Sequence, residues 1–309
     1  MFNIDNIDIS LLEEITGAQN GEFKGAYNIR KNGQGVERKI TENINIVTKQ
    51  DVSGIDIHVK PNTKFEYVHI PVIITESGLT DLVYNDFYIG ENANVIIVAG
   101  CGIHNDHHED SQHDGIHRFF LEKNAKVKYI EKHYGEGDGK GKRVLNPTTE
   151  VYLKEGSTLE MESSQIKGVD STIRVTKGVL EKDSNFVVTE KIMTHGTQFA
   201  KTEFDVELNG KNASTKVTSR SVATERSSQE FKSKVVGNTE CFGHVECDAI
   251  IEEKAKVIAI PAILANDVNA RLIHEATIGK IAGEQLTKLM TLGLTEKQAE
   301  EVIINGFLK

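Results

Sequence analysis

Between residues 40 and 262 apolar and polar positions alternate with a period of two, which is the period of an extended strand with two different faces. Stretches such as Lys128-Tyr129-Ile130-Glu131 and Thr202-Glu203-Phe204-Asp205-Val206-Glu207 alternate faces as strands do. A turn-like heptapeptide interrupts this alternation at intervals: Val59–Phe65, Ile89–Val95, Leu121–Val127, Leu153–Leu159, Leu180–Phe186 and Ile251–Val257, with a looser copy at Leu208–Thr215. The first five copies begin 30, 32, 32 and 27 residues apart. Each reads apolar, polar turn, small residue, polar, apolar. A unit of this size cannot cover its own apolar face, so a fixed period predicts stacked neighbours sharing one core. The small Ala or Ser of each copy is expected where the chain turns tightly inward. A sandwich would alternate similarly but would not need the regular heptapeptide. The fold class expected is mainly β: a right-handed parallel β-helix, or solenoid, with a short N-terminal helix and a small C-terminal helical region.

The helical segments flank the strands. Ser10-Leu11-Leu12-Glu13 has the form of a capping box and predicts a helix over about 10–17. A Gly- and Asn-rich stretch, Asn20 to Gln34, reads as a linker. After Lys280 the period changes: Leu286, Leu289 and Met290 fall at helical spacing, and Gly293 stops that helix. Thr295-Glu-Lys-Gln298 is a second capping box, opening a helix through Ala299, Val302 and Ile303, and Gly306 suits the left-handed residue that ends one. Three regions follow: 1–39 as N-terminal helix and linker, 40–270 as β-helix core, and 271–309 as a C-terminal helical region.

Composition narrows the function classes. A net charge of -10 would repel phosphate backbones and anionic lipid, so neither nucleic acid nor membrane is an expected partner. Met1-Phe2-Asn3-Ile4-Asp5 lacks a basic start and an apolar h-region, and no apolar run reaches the length of a membrane helix. A cytoplasmic protein is expected, with Cys101, Cys241 and Cys247 as free thiols in a reducing compartment.

Several residues could carry chemistry. His104, His107, His108, His113, His117 and His133 lie within thirty residues, interleaved with Asp106, Glu109, Asp110 and Asp114. Gly102 and Gly115 favour reading this as a solvated or interface loop over a metal site, which needs converging ligands and support behind them. Gly135 to Lys142 fails the phosphate-loop pattern, because Gly137 and Gly141 enclose three residues and Arg143 follows Lys142. It reads as a turn. Cys241-x-x-His244-x-x-Cys247 could chelate a soft metal only if the chain turned there, since strand residues three apart face opposite ways; buried core thiols are the other reading. His274-Glu275 stands isolated and follows Cys247 closely in sequence. Thiolate, imidazole and carboxylate are side chains that hold iron or zinc.

In sequence, these pieces resemble the SufB/SufD family, the β-helical scaffold proteins of the SUF iron-sulfur cluster assembly system. The strongest carrier is Ala270-Arg-Leu-Ile-His-Glu-Ala-Thr-Ile-Gly-Lys-Ile281, followed by Glu284-Gln285-Leu286, Leu292-Gly293-Leu294-Thr295, Ala299 and Ile304-Asn305-Gly306-Phe307. Ile260-Pro261-Ala262-Ile263-Leu264-Ala265 and Gly100-Cys101 support it. The resemblance covers roughly 80 to 309 and points to a short, archaeal or anaerobe-type member without the long N-terminal region of SufB.

The resemblance implies that Cys247, His274 and Glu275 hold a transient iron-sulfur cluster and that Cys101 is where sulfur enters. It also implies that region 271–309 docks a SufC-like ABC-type ATPase, and that two copies, or this chain and a second family member, pair to form the site. Ile273 stands where SufB has a glutamate, and the spacing from Cys247 to His274 is one residue shorter than in SufB. Such a protein would be a scaffold and not itself an enzyme; the sulfur donor and any use of flavin are left undetermined. Two rivals remain: a β-helical polysaccharide-active enzyme, disfavoured by the absence of tryptophan stacking platforms, and a His-rich metal-binding protein centred on His104 to His133.

Overall fold

The computed structural model describes residues 6–18 and 22–309; positions 1–5, read above for a leader, lie outside the described residues. A helix, α1 (Asn6–Thr16), precedes two antiparallel hairpins, β1 (Ala26–Lys31) with β2 (Gln34–Lys39) and β3 (Ile44–Thr48) with β4 (Gly54–Val59). Then come β5 (Lys64–Ile74), β6 (Thr80–Ile89), β7 (Asn94–His104), β8 (Ser111–Leu121), β9 (Lys126–Glu136), β10 (Arg143–Leu145), β11 (Thr148–Leu153) and β12 (Thr158–Lys167). The array continues with β13 (Ser171–Leu180), β14 (Asn185–Thr194), β15 (Phe199–Leu208), β16 (Ser214–Ala223), β17 (Ser228–Gly237), β18 (Phe242–Ile251), β19 (Lys256–Ala265) and β20 (Arg271–Gly279). Two helices close the chain, α2 (Gly283–Thr291) and α3 (Glu296–Phe307).

Successive strands alternate between two ten-stranded sheets, one ordered β2-β1-β5-β7-β9-β12-β14-β16-β18-β20 and the other ending at β19. Beyond the hairpins all ladders are parallel, and the whole is a β-solenoid of about 8 turns. The heptapeptide is the corner from the second sheet to the first. Its fourth residue has positive φ in Asn62, Asn92, Asn124, Gly156 and Asp183, a conformation that Asn, Asp and Gly tolerate best. Its fifth residue turns inward and is buried: Thr63, Ala93, Ala125, Ser157 and Ser184. The Ile251 copy is the opposite corner, from first sheet to second, and there Glu253 takes the positive φ. Inward positions such as Val95, Ile97, Phe87, Phe119, Phe186 and Leu208 form one continuous core.

Four local expectations need correction. Ser10 does not start the first helix, which is already under way at Asn6. The stretch to Gln34 is not a bare linker, because Ala26–Lys31 forms a strand parallel to β5, with Asn32 and Gly33 supplying the positive φ of a tight hairpin. The histidine cluster divides: 105–110 is a loop as expected, with His107 and His108 exposed, but 111–121 is a strand, in which Gly115 faces inward, where a Cβ would approach the His113 and His117 rings at 3.2 and 3.3 Å. Finally, Gly306 lies inside α3, which ends at Phe307 with Leu308 as its cap, and residues 271–279 extend the sheet before any C-terminal helix. The Thr295–Gln298 capping box and the Gly293 stop are present as expected.

Helix α1 lies flat on the outer face of the first sheet, burying Leu11, Leu12 and Ile15 against Ile73 and Tyr134. Gly100 makes that approach geometrically feasible, since a Cβ there would sit 2.7 Å from Ile15 Cβ and 2.8 Å from its carbonyl oxygen. Gly100→Val should therefore displace α1 and cost about 1–3 kcal/mol by overpacking. Urea unfolding of the two proteins measures this, and an unchanged midpoint would show that α1 does not need the glycine.

Candidate functional site

Parallel stacking in register lines up like positions from rung to rung. On the inner face of the first sheet one column reads Ala99, Glu131, Ser163, Glu190, Ser219, Cys247 and Ala276. Its neighbour reads Cys101, His133, Gln165, Ile192, Ser221 and Ala249. The interior is thus apolar near the corners and polar along its centre. Cys101 and Cys247 face the same lumen five strand steps apart, about 24 Å at the spacing of paired strands.

The polar centre is tied together by ion pairs. Arg174, reaching in from the second sheet, donates from Nη1 to Glu131 Oε2 and lies 3.4 Å by Nε from Glu190 Oε1. Glu190 also accepts from Thr202 Oγ1 and Ser219 Oγ at 2.8 Å each. Glu131 accepts from Tyr129 Oη at 2.9 Å, and that hydroxyl lies 2.6 Å from His117 Nδ1. Burial opposes ionisation of Glu131, but the Arg174 charge holds its pKa well below the usual carboxylate range. Burial pushes His117 down to about 4 and also lowers His133, so both are neutral imidazoles near pH 7.

Cys101 borders a small cavity of about 20 Å³ shared with His113, His117, Glu131 and His133, room for roughly one water. His113 Nδ1 sits 3.1 Å from Asp81 Oδ2, and Arg30 grips the same carboxylate at 2.5 and 2.8 Å. Asp81 is held well below its ordinary pKa by these partners, although burial works the other way. Burial, with Asp81 and Glu131 nearby, pushes the Cys101 thiol well up.

At the far end Cys247 and His274 point to the same inner face. Val245 pairs directly with His274 and Cys247 with Ala276, so the thiol and imidazole are diagonal neighbours with Cα atoms about 8 Å apart. Glu275 pairs with Glu246 and faces outward, 3.4 Å from His244 Nε2. The three side chains are therefore split two and one, and among the described residues no group of three or more His, Cys, Asp or Glu is gathered to hold a metal. His274 Nε2 is buried without a hydrogen-bond partner, which fits a nitrogen left for a ligand. Burial lowers the His274 pKa, with His244 adding to it, and burial pushes Cys247 up to about 12, with Glu190 and Asp248 contributing. Both changes favour neutral side chains, so iron would have to displace the thiol proton on arrival.

The Cys241-x-x-His244-x-x-Cys247 pattern does not converge: Cys241 and Cys247 are buried, and His244 faces out. Of the six clustered histidines, His113, His117 and His133 are buried in the lumen, while His107 and His108 are exposed. The residues missed by the sequence reading are Glu131, Arg174, Glu190 and Ser219. For Glu131, Glu190 and Ser219 the signal was parity, since each falls on the same alternate as neighbouring apolar core residues, as Glu131 does with Val127 and Tyr129; Arg174 has no such signal, because its alternates are Thr172 and Thr176 and the apolar Ile173 and Val175 face the other way.

Replacing Arg174 with Met should cost about 3–5 kcal/mol in urea unfolding, because it strands two buried carboxylates; an unchanged stability would contradict the bridge. Cys247 should react with iodoacetamide at pH 8 roughly two to three orders of magnitude more slowly than in urea-unfolded protein, and faster with every step toward pH 12. Labelling at an unfolded rate, read by peptide mass spectrometry, would contradict its burial.

The profile described as SUF system FeS cluster assembly, SufBD core domain, matches residues 72–307. An iron-sulfur cluster assembly SufBD family protein of Methanocaldococcus jannaschii is 29% identical over 290 residues, spanning 92% of this chain and 90% of its own. One from Archaeoglobus fulgidus is 26% identical over 262 residues, 84% of this chain and 69% of its own. A third, from Synechocystis, is 25% identical over 228 residues, 71% of this chain and 47% of its own. Among the described residues no helix is long and apolar enough to cross a membrane. Two thiols in one polar lumen, a histidine on the last strand of the first sheet and this match over most of the length agree: the chain belongs to the SufBD family of iron-sulfur cluster assembly proteins.

Proposed function

We propose that the chain is a scaffold on which a nascent iron-sulfur cluster is held at the C-terminal end of the solenoid by Cys247 and His274. The observation that carries this is their common inner face on the last two strands of the first sheet, with the His274 Nε2 unpaired. Thiolate suits iron and bridging sulfide, and a neutral imidazole binds more weakly, which lets a finished cluster leave. Cys101, the expected point of sulfur entry, faces the same lumen as Cys247 about 24 Å away, with His133, Arg174 and Ser219 between them.

The C-terminal rung favours pairing of two family members, identical or different. The sheets end at β20 and β19, and on β19 Ile258, Ile260, Ile263 and Leu264 are each about half exposed. Uncovered strand edges with apolar side chains seek a partner strand. A paired edge would bring Glu275, which faces outward within one protomer, to a surface that a second copy approaches. In the same reading α2 and α3 dock a SufC-like ABC-type ATPase, supported by the exposed Met290, Leu292 and Val302, with α3 anchored where Phe307 meets Arg220. The work would be done in the cytoplasm.

The polysaccharide reading loses ground on geometry. The outward rings of Tyr88, Phe120 and Tyr152 stack on one another at 5.2 and 5.1 Å, so most of their faces are already occupied and unavailable to sugars.

Anaerobic reconstitution with ferrous iron and sulfide tests the proposal. The parent should turn brown with sulfur-to-iron charge-transfer absorbance; Cys247→Ala should lose nearly all of it, and Cys241→Ala should keep it. A Cys247→Ala protein that holds as much cluster as the parent would overturn the assignment.

A further inference from the structure

The opposite end of the solenoid carries a feature that cluster handling does not use. Between the two N-terminal hairpins lies an open groove of about 520 Å³, lined by Asn28, Arg30, Arg38, Lys49, Val52 and Ser53 among others. That volume is in the range of small-molecule sites. Three cations line it on a chain whose net charge is -10.

Their pairing is unequal. Arg30 is bound to Asp81 through Nε and Nη2, and Nη2 also donates to Ser53 Oγ at 2.9 Å. Lys49 is bound to Asp56 at 2.5 Å and to Asp86 at 2.8 Å. Glu37, the one carboxylate in the lining, accepts from Tyr27 Oη at 2.6 Å. Arg38 is different: it donates to Asn28 Oδ1 at 2.9 Å, to the Ile46 carbonyl at 3.2 Å and to Thr48 Oγ1 at 2.9 Å, all neutral acceptors. Among the described residues it has no carboxylate partner.

A guanidinium offers five N–H donors in a fixed fork. Three of those on Arg38 are engaged, each from a different nitrogen, so one hydrogen on each terminal nitrogen remains. Arg30 keeps both hydrogens on Nη1, and Lys49 keeps one of three. Arg38 is exposed, so its two remaining N–H groups open to the solvent of the groove, and partial burial lowers its pKa. An arriving anion would supply the counter-charge that its neutral acceptors lack and take up the remaining donors.

We propose that this groove is a binding site for a small oxyanion, a carboxylate- or phosphate-bearing small molecule, with Arg38 as its counter-charge and Arg30 and Lys49 supplying further donors. Guanidinium geometry matches both oxyanions in the same two-pronged way. The site stands at the first rung, at the other end of the solenoid from Cys247, so it does not depend on the cluster reading.

Calorimetric titration of the full chain with inorganic phosphate, and separately with malonate at matched ionic strength, tests it. Saturable binding of at least one is expected, and the tighter of the two identifies the ligand class. Arg38→Gln keeps an amide donor but removes the charge and should weaken binding at least tenfold; Arg38→Lys should weaken it less. Val52→Glu places a carboxylate in the groove without touching the Arg38 hydrogen bonds and should weaken it comparably, so the test survives if Arg38→Gln misfolds. No saturable binding of either anion to the parent, or equal affinity in parent and folded variants, would overturn the proposal.

Discussion

Beyond the N-terminal hairpins, the structure depends on rungs stacked in parallel register. Each corner residue held at positive φ returns the chain to a corresponding place on the next rung, so paired positions face the same side from rung to rung. Columns result, and a column has one face. Where it is apolar it makes core; where Glu131, Ser163, Glu190, Ser219 and Cys247 share it, it makes a polar line through the centre of a hydrophobic solenoid.

A polar line of this kind is stable only when its members satisfy one another. Arg174 crosses from the second sheet to do so, and two carboxylates, a tyrosine hydroxyl and neutral imidazoles arrange around it. Gln165, Thr149 and Ser233 still carry buried polar atoms without partners, places suited to ordered water. The lumen is therefore a medium in which a thiol can be buried and yet have polar neighbours. Cys101 and Cys247 are chemically quiet there until something removes their protons.

Much of this architecture was legible in the chain. The heptapeptide announced the corner, its small fifth residue announced the inward turn, and the Thr295–Gln298 box announced the last helix. What failed were readings that weighed residue type above parity. Glycines at 102 and 115 suggested a loop around the histidines, but within a stacked array a strand tolerates glycine where large neighbours need room, as Gly115 does between two imidazoles. The burial of Glu131 and Arg174 rests on the partner that each finds on the other sheet, which is invisible in one dimension. For the candidate site, the sequence placed Cys247 and His274 in one neighbourhood but could not separate Glu275, whose outward direction is set by the pairing of β18 with β20.

The shared inner face of Cys247 and His274 is the claim on which the functional account turns, and iron-edge X-ray absorption on cluster-loaded protein tests it most directly. The account predicts a nitrogen scatterer beside the sulfur shell that disappears in His274→Gln while the Cys247 sulfur remains. An iron environment of sulfur alone, or a nitrogen shell unchanged by that substitution, would contradict it.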